Sequence, residues 1–119
     1  MRLRLAVLVL LTAFIGACGD DSEPKRDRAS LAIRIPVGAV ALGAEAYGKN
    51  PVSIATGTTV VWINDDDQYH TATSDTGIWN TGAIAPDQAS SITFQNVGSF
   101  PYHCEIHGQE HMAGTIVVQ

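Results

Sequence analysis

From Leu31 onward the chain alternates between apolar and polar positions. Leu31, Ile33 and Ile35 fall on one face with Ala32 and Arg34 on the other, the two-residue period of a half-buried strand. Val52 and Ile54 repeat it, and residues 58–63 (TTVVWI) form a β-branched run that follows the turn residue Gly57. Ile92 and Phe94 share one side of residues 91–94, and Phe100, Tyr102 and Cys104 share one side of residues 99–104. Residues 114–118 close the chain as another β-branched strand. No stretch sustains the helical period of about 3.6. Residues 37–50 and 75–89 read as long loops, the first with a short helix near residues 44–47. Short strands separated by turn residues predict an all-β fold, a Greek-key β-sandwich or small barrel of about seven to eight strands.

Ahead of this domain, Arg2 and Arg4 precede an apolar run, residues 5–15, that only Thr12 interrupts. These are the charged and apolar regions of a signal peptide. As a helix the run spans roughly 16 Å, short of the about 30 Å hydrocarbon core of a bilayer. Ile15-Gly16-Ala17-Cys18 resembles a bacterial lipobox, which implies a lipoprotein signal peptide over residues 1–17 and a lipidated Cys18 as membrane anchor. More than one acyl chain, at about 0.8 kcal/mol per buried CH₂, anchors stably where one does not. A plain secretory peptide cut nearby would instead leave Cys18 as a bystander or as a disulfide partner for Cys104. Residues 18–30 then hold the lipidated Cys and a flexible linker, because residues 19–30 (GDDSEPKRDRAS) mix both signs of charge around a single apolar Ala29. The folding domain is residues 31–119.

The full chain of 119 residues, with a net charge of -5, has room for one small domain and none for a two-domain enzyme. Residues 31–119 carry two basic side chains, Arg34 and Lys49, against eight acidic ones, net -6. That balance excludes a basic nucleic-acid binder. Residues 65–67, three consecutive Asp, read as a solvated turn, or as charge that steers a basic partner.

Two cysteines change the picture most. With Cys18 assigned to lipid, Cys104 is a lone thiol in an exported domain, where an unprotected thiol oxidises, so something should occupy it. The run Cys104-Glu-Ile-His107-Gly-Gln-Glu-His111-Met112 gathers thiolate, imidazole and thioether donors in one loop between two strands. Alternation turns Cys104 inward with Tyr102 and His103 outward, and Gly108 lets His107 fold back. His70, just beyond the strand of residues 58–63, supplies a second imidazole. A thiolate, two imidazoles and a distant, weak thioether form the arrangement that holds copper in electron-transfer sites.

In these residues the chain resembles the cupredoxins, blue copper proteins of the plastocyanin, amicyanin and pseudoazurin type. The resemblance covers nearly all of residues 31–119. A V-x-W-x-N strand end (Val60, Trp62, Asn64) precedes His70, and a loop Y-H-C-x-x-H-x-x-x-x-M (Tyr102 to Met112) enters the last strand. It implies that His70, Cys104, His107 and Met112 bind one type 1 copper ion, with the edge of His107 near the surface beside Ile106 and Ala113. It also implies a monomer that is no enzyme, carrying one electron by Cu(II)/Cu(I) between transient redox partners. With the lipid anchor, that carrier is membrane-tethered in the bacterial cell envelope, on the periplasmic side. Two residues depart from the pattern. Thr71 stands where many members have an Asn that ties the ligand loops together, and His111 offers a competing nitrogen beside Met112. A multicopper oxidase is disfavoured because His70, His103, His107 and His111 include no His-x-His pair, and a dinuclear centre because the loop holds one Cys. The alternative function is copper handling, delivery or buffering, which slow exchange of bound copper with a chelator would argue against.

Overall fold

The computed structural model describes residues 29–119. The expectations for the signal peptide, for Cys18 and for most of the linker lie outside the described residues. The alternating segments become seven strands: β1 (Ser30–Ile35), β2 (Val52–Ile54), β3 (Thr58–Asn64), β4 (Thr73–Ser74), β5 (Ala89–Phe94), β6 (Gly98–His103) and β7 (Ala113–Val118). They form two mixed sheets, a three-stranded one in the order β1-β3-β5 and a four-stranded one in the order β2-β7-β6-β4. β1 runs parallel to β3, and β2 parallel to β7, while the β3–β5, β6–β7 and β4–β6 pairs are antiparallel. The all-β sandwich expected from the alternation is the fold observed.

Period two delivers the core directly. Along β3, Thr58, Val60, Trp62 and Asn64 are buried while the intervening residues are half-buried, and along β7 the same holds for Gly114, Ile116 and Val118. Trp62 lies at the centre, its ring stacked on Trp79 at 5.5 Å and edge-on to Tyr102 at 5.5 Å. Its Nε1 donates to the buried Tyr102 hydroxyl at 3.3 Å, which gives the polar tip of each ring a partner. Trp79 comes from the long excursion of residues 75–89, so that loop contributes a ring to the core.

Tyr102 faces Gly114 across the β6–β7 ladder. A Cβ built on Gly114 would lie 2.6 Å from Cζ of Tyr102 and 2.7 Å from its hydroxyl. The position needs Gly because an aromatic ring occupies the space above it. Gly114→Ala is therefore expected to cost about 1–3 kcal/mol through displacement of that ring. Chemical denaturation of the metal-free protein measures it, and a change within about 0.5 kcal/mol would count against the close packing.

Two local details differ from the sequence reading. The short helix is a 3₁₀ turn at Ala39–Ala41, and residues 44–47 form plain turns. The backbone bonds there run from Glu45 to Leu42, from Ala46 to Gly43 and from Gly48 to Glu45, each three residues apart, so no α-helical turn closes. The segment is held by burial of Ala46 and Tyr47. The second difference is β4, whose two residues are too few to display alternation and which exists through its pairing with β6.

Candidate metal centre

The last residue of β3 organises the first half of the site. Asn64 is fully buried; its Nδ2 donates to the carbonyls of Gln68 at 2.7 Å and Ile84 at 2.9 Å, and its Oδ1 accepts the N–H of Asp66 at 2.9 Å. One side chain thus folds residues 65–69 into a fixed loop. That loop delivers His70, fully buried and paired backbone to backbone with Ile84. Asp66, in the middle of the three-Asp run, turns inward at 3% exposure and lies 2.7 Å from Nε2 of His70. The expected solvated turn holds for Asp65, which pairs with Arg34 at the surface, and fails for Asp66. The fixed loop and the N–H of Gly38 draw Asp66 under cover.

The second half comes from the nine residues between β6 and β7. Cys104, the first residue after β6, is fully buried. Its N–H donates to the carbonyl of Met112 at 3.1 Å, and its carbonyl accepts the N–H of Gly108 at 2.8 Å. Gly108 has φ +91°, a left-handed turn that a side chain rarely adopts, and it swings His107 back toward Cys104. Met112 bonds to the Gly108 carbonyl and is fully buried in the same core as Cys104, whereas His111 is 56% exposed beside Glu110.

Sγ of Cys104 stands 3.9 Å from Nδ1 of His70 and 3.4 Å from Nδ1 of His107. A first-row ion takes imidazole nitrogen and thiolate sulfur at about 2.0–2.3 Å, which sets donors around a trigonal centre roughly 3.5–3.8 Å apart. The three donors therefore already hold the spacing one ion requires, with two nitrogens and one sulfur all within 4.8 Å of one another. Both imidazoles turn Nδ1 inward because Nε2 is taken: that of His70 by Asp66, that of His107 by Oε1 of Gln68 at 3.0 Å. The backbone N–H of Thr71 points at Sγ from 3.4 Å, a donor suited to a thiolate. Burial, together with repulsion from His70 and His111 and against the pull of Asp66, pushes the His107 ring below its ordinary pKa. A neutral ring is the form that binds metal.

A family model for copper binding proteins, the plastocyanin/azurin family, matches residues 38–119. The chain belongs to that family. This cupredoxin is 31% identical to amicyanin of Paracoccus versutus over 98% of the present chain and 96% of the relative, and 32% identical to plastocyanin of Scenedesmus fuscus over 65% and 90%. Among solved structures it is similar to a purple cupredoxin from Nitrosopumilus maritimus, with a TM-score of 0.65 and 26% identity over 74% of this chain and 98% of that one. Its donor set, His70, Cys104 and His107 with Met112 buried beside them, is that of a single type 1 copper.

The two departures from the cupredoxin pattern resolve in the structure. The Thr71 hydroxyl accepts the N–H of Glu105 at 2.8 Å and shares a hydrogen bond with Thr73 at 2.8 Å, so a shorter side chain still ties the His70 loop to the Cys104 loop. Tyr47 adds a third tie by donating to the Thr71 carbonyl. His111 faces outward and stays apart from the ligand cluster, as does His103, which pairs with Asp75 on the other side of β6. Asp66 and Gln68 are the residues near the metal that sequence reasoning missed. The available signal was the four-residue step from Asp66 to His70 behind the strand-ending Asn64.

Proposed function

We propose that this cupredoxin is a monomeric one-electron carrier, tethered by lipid at Cys18 to a membrane of the bacterial cell envelope and docking transiently with redox proteins on its periplasmic side. The observation that carries the redox reading is a buried, pre-assembled His₂Cys set of which one member alone, His107, keeps a partly exposed edge. Bound copper supplies the Cu(II)/Cu(I) couple. The protein contributes rigidity: Asp66, Gln68 and the Thr71 N–H hold the three donors from outside, so they need move little when the charge at the centre changes. Met112 fits the place of the weak axial donor, since its side chain is buried with Cys104.

The exposed apolar side chains Ile106, Tyr69, Val37 and Leu42 all belong to segments that carry or brace the ligands. Tyr69 and Ile106 adjoin His70 and His107, Val37 adjoins the Gly38 that bonds Asp66, and Leu42 adjoins the Gly43 bridged to Met112. Exposed apolar side chains on the segments that carry a half-exposed ligand suit a docking contact that forms and releases quickly. The net charge of -6 on residues 31–119 favours a basic partner. The tether rests on Arg2, Arg4, the apolar run and Ile15-Gly16-Ala17-Cys18.

The test compares visible absorption and electron paramagnetic resonance of the copper(II)-loaded wild type with Met112→Gln and His111→Ala. His111→Ala is expected to leave both spectra unchanged, and Met112→Gln to shift them and lower the reduction potential, because an amide oxygen favours Cu(II) more than a thioether does. A spectrum that responds to His111 and ignores Met112 would reverse the axial assignment. Loss of copper to a chelator within seconds would overturn the carrier in favour of delivery. Metabolic labelling with palmitate tests the anchor; label should enter the full chain and disappear in Cys18→Ala.

A further inference from the structure

We infer that Asp66 is a positioning residue for the metal centre: its buried carboxylate locks His70 with Nδ1 facing Cys104 and adds a fixed negative charge that favours the oxidised state of bound copper. The inference rests on the copper reading above.

Asp66 lies one helical-turn distance in sequence before His70, yet on a loop, and its two carboxylate oxygens divide their work. Oδ2 meets Nε2 of His70 at 2.7 Å, while Oδ1 accepts the N–H of Asp67 at 2.9 Å and of Gly38 at 3.3 Å. An ionised carboxylate only accepts hydrogen bonds, so Nε2 carries the proton and the lone pair of Nδ1 is left for the metal. Both oxygens of Asp66 are met by N–H groups, two of them from the backbone, which is the surrounding of a carboxylate. It is the carboxylate, fixed by three donors, that faces the ring.

Charge is what separates Asp66 from Gln68. Both side chains accept from Nε2 of a ligand imidazole, but Gln68 is neutral and exposed, whereas Asp66 is charged and buried. The described residues contain two Lys or Arg side chains, and of these Arg34 is engaged with Asp65 at the surface. Among the described residues no Lys or Arg side chain bonds to Asp66. A buried charge needs a compensating one nearby. One thiolate and one carboxylate balance a divalent ion, and leave one uncompensated negative charge beside a monovalent ion. The oxidised state is accordingly favoured, and partners that tune ligating His in this way typically alter metal affinity by about 10–100-fold.

The deciding experiment is the reduction potential of the copper-loaded Asp66→Asn protein. Asn keeps the shape and an oxygen acceptor for Nε2, so a purely structural role leaves the potential in place. Loss of the charge is expected to weaken Cu(II) binding relative to Cu(I) by about 10–100-fold, which at about 59 mV per tenfold for one electron raises the potential by roughly 60–120 mV. Asp67→Asn removes an equal charge from the exposed neighbour and is expected to move the potential far less, because solvent screens it. A blue Asp66→Asn protein with an unchanged or lower potential overturns the role of Asp66, as does an equal shift in Asp67→Asn. A second measurement needs no variant: in the wild-type Cu(I) protein, nuclear magnetic resonance should find the His70 Nε2 proton far downfield and slow to exchange with solvent. A rapidly exchanging proton there overturns the inference. A wild type that takes up copper without a blue band would instead sink the copper reading itself, so the two failures are distinguishable.

Discussion

Cys104→Ser removes the intense visible absorption of the copper(II)-loaded protein and leaves the β-sandwich standing. The band arises from charge transfer between a thiolate and Cu(II), and a serine hydroxyl is neither ionised near neutral pH nor soft enough to replace it. The fold should survive because the bonds that shape the loop are made by the backbone of Cys104, from its N–H to Met112 and from Gly108 to its carbonyl. The sulfur itself accepts one weak bond, from the N–H of Thr71 at 3.4 Å, which an oxygen can also accept. Visible absorption, electron paramagnetic resonance and far-ultraviolet circular dichroism, recorded on the same samples, check the expectation. A blue Cys104→Ser protein would remove Cys104 from the ligand set, and a wild type that binds zinc and refuses copper would remove the metal assignment.

Trp62→Ala should produce the largest loss of stability. Trp62 is fully buried, lies within 5.5 Å of the rings of both Trp79 and Tyr102, and donates to the Tyr102 hydroxyl. Truncating a buried aromatic of this size costs about 3–5 kcal/mol, a large share of the roughly 5–15 kcal/mol that stabilises a typical domain. At about 4–8 °C per kcal/mol for a domain of 60–100 residues, the melting temperature of the metal-free protein should fall by roughly 12–40 °C. Trp62→Phe keeps part of the stack and should lie between. A fall of only a few degrees in Trp62→Ala would mean that Trp79 and Tyr102 close the space, and that the stack is less essential than its geometry implies.

Much of this was legible in the order of residues, for identifiable reasons. A strand buried on one face must alternate, so β1, β3, β6 and β7 announced themselves. Metal donors of the right softness are few, so Cys104, His107, Met112 and His70 stood out by type and spacing. What escaped depends on the path of a loop. Asp66 sits among three identical residues, and only the bonds made by Asn64 and Gly38 decide which of them is buried. Strand β4 exists because β6 is beside it, and the 3₁₀ turn falls at Ala39–Ala41 because Gly38 adopts a left-handed conformation there. The Thr71 tie was readable from its position after His70, and its acceptor role for Glu105 followed.

The β6–β7 ladder runs without interruption to His103 and Ala113, immediately below the nine residues that contain Cys104, His107 and Met112. Three donors therefore ride on a single segment whose two ends leave from the last rung of one hairpin. The register beneath is set by the ladder from Gly98 to His103 against Ala113 to Val118, and does not depend on the segment above it. For the engineer, this makes the segment from Cys104 to Met112 the natural unit to transplant or resize when a different potential is wanted on the same scaffold.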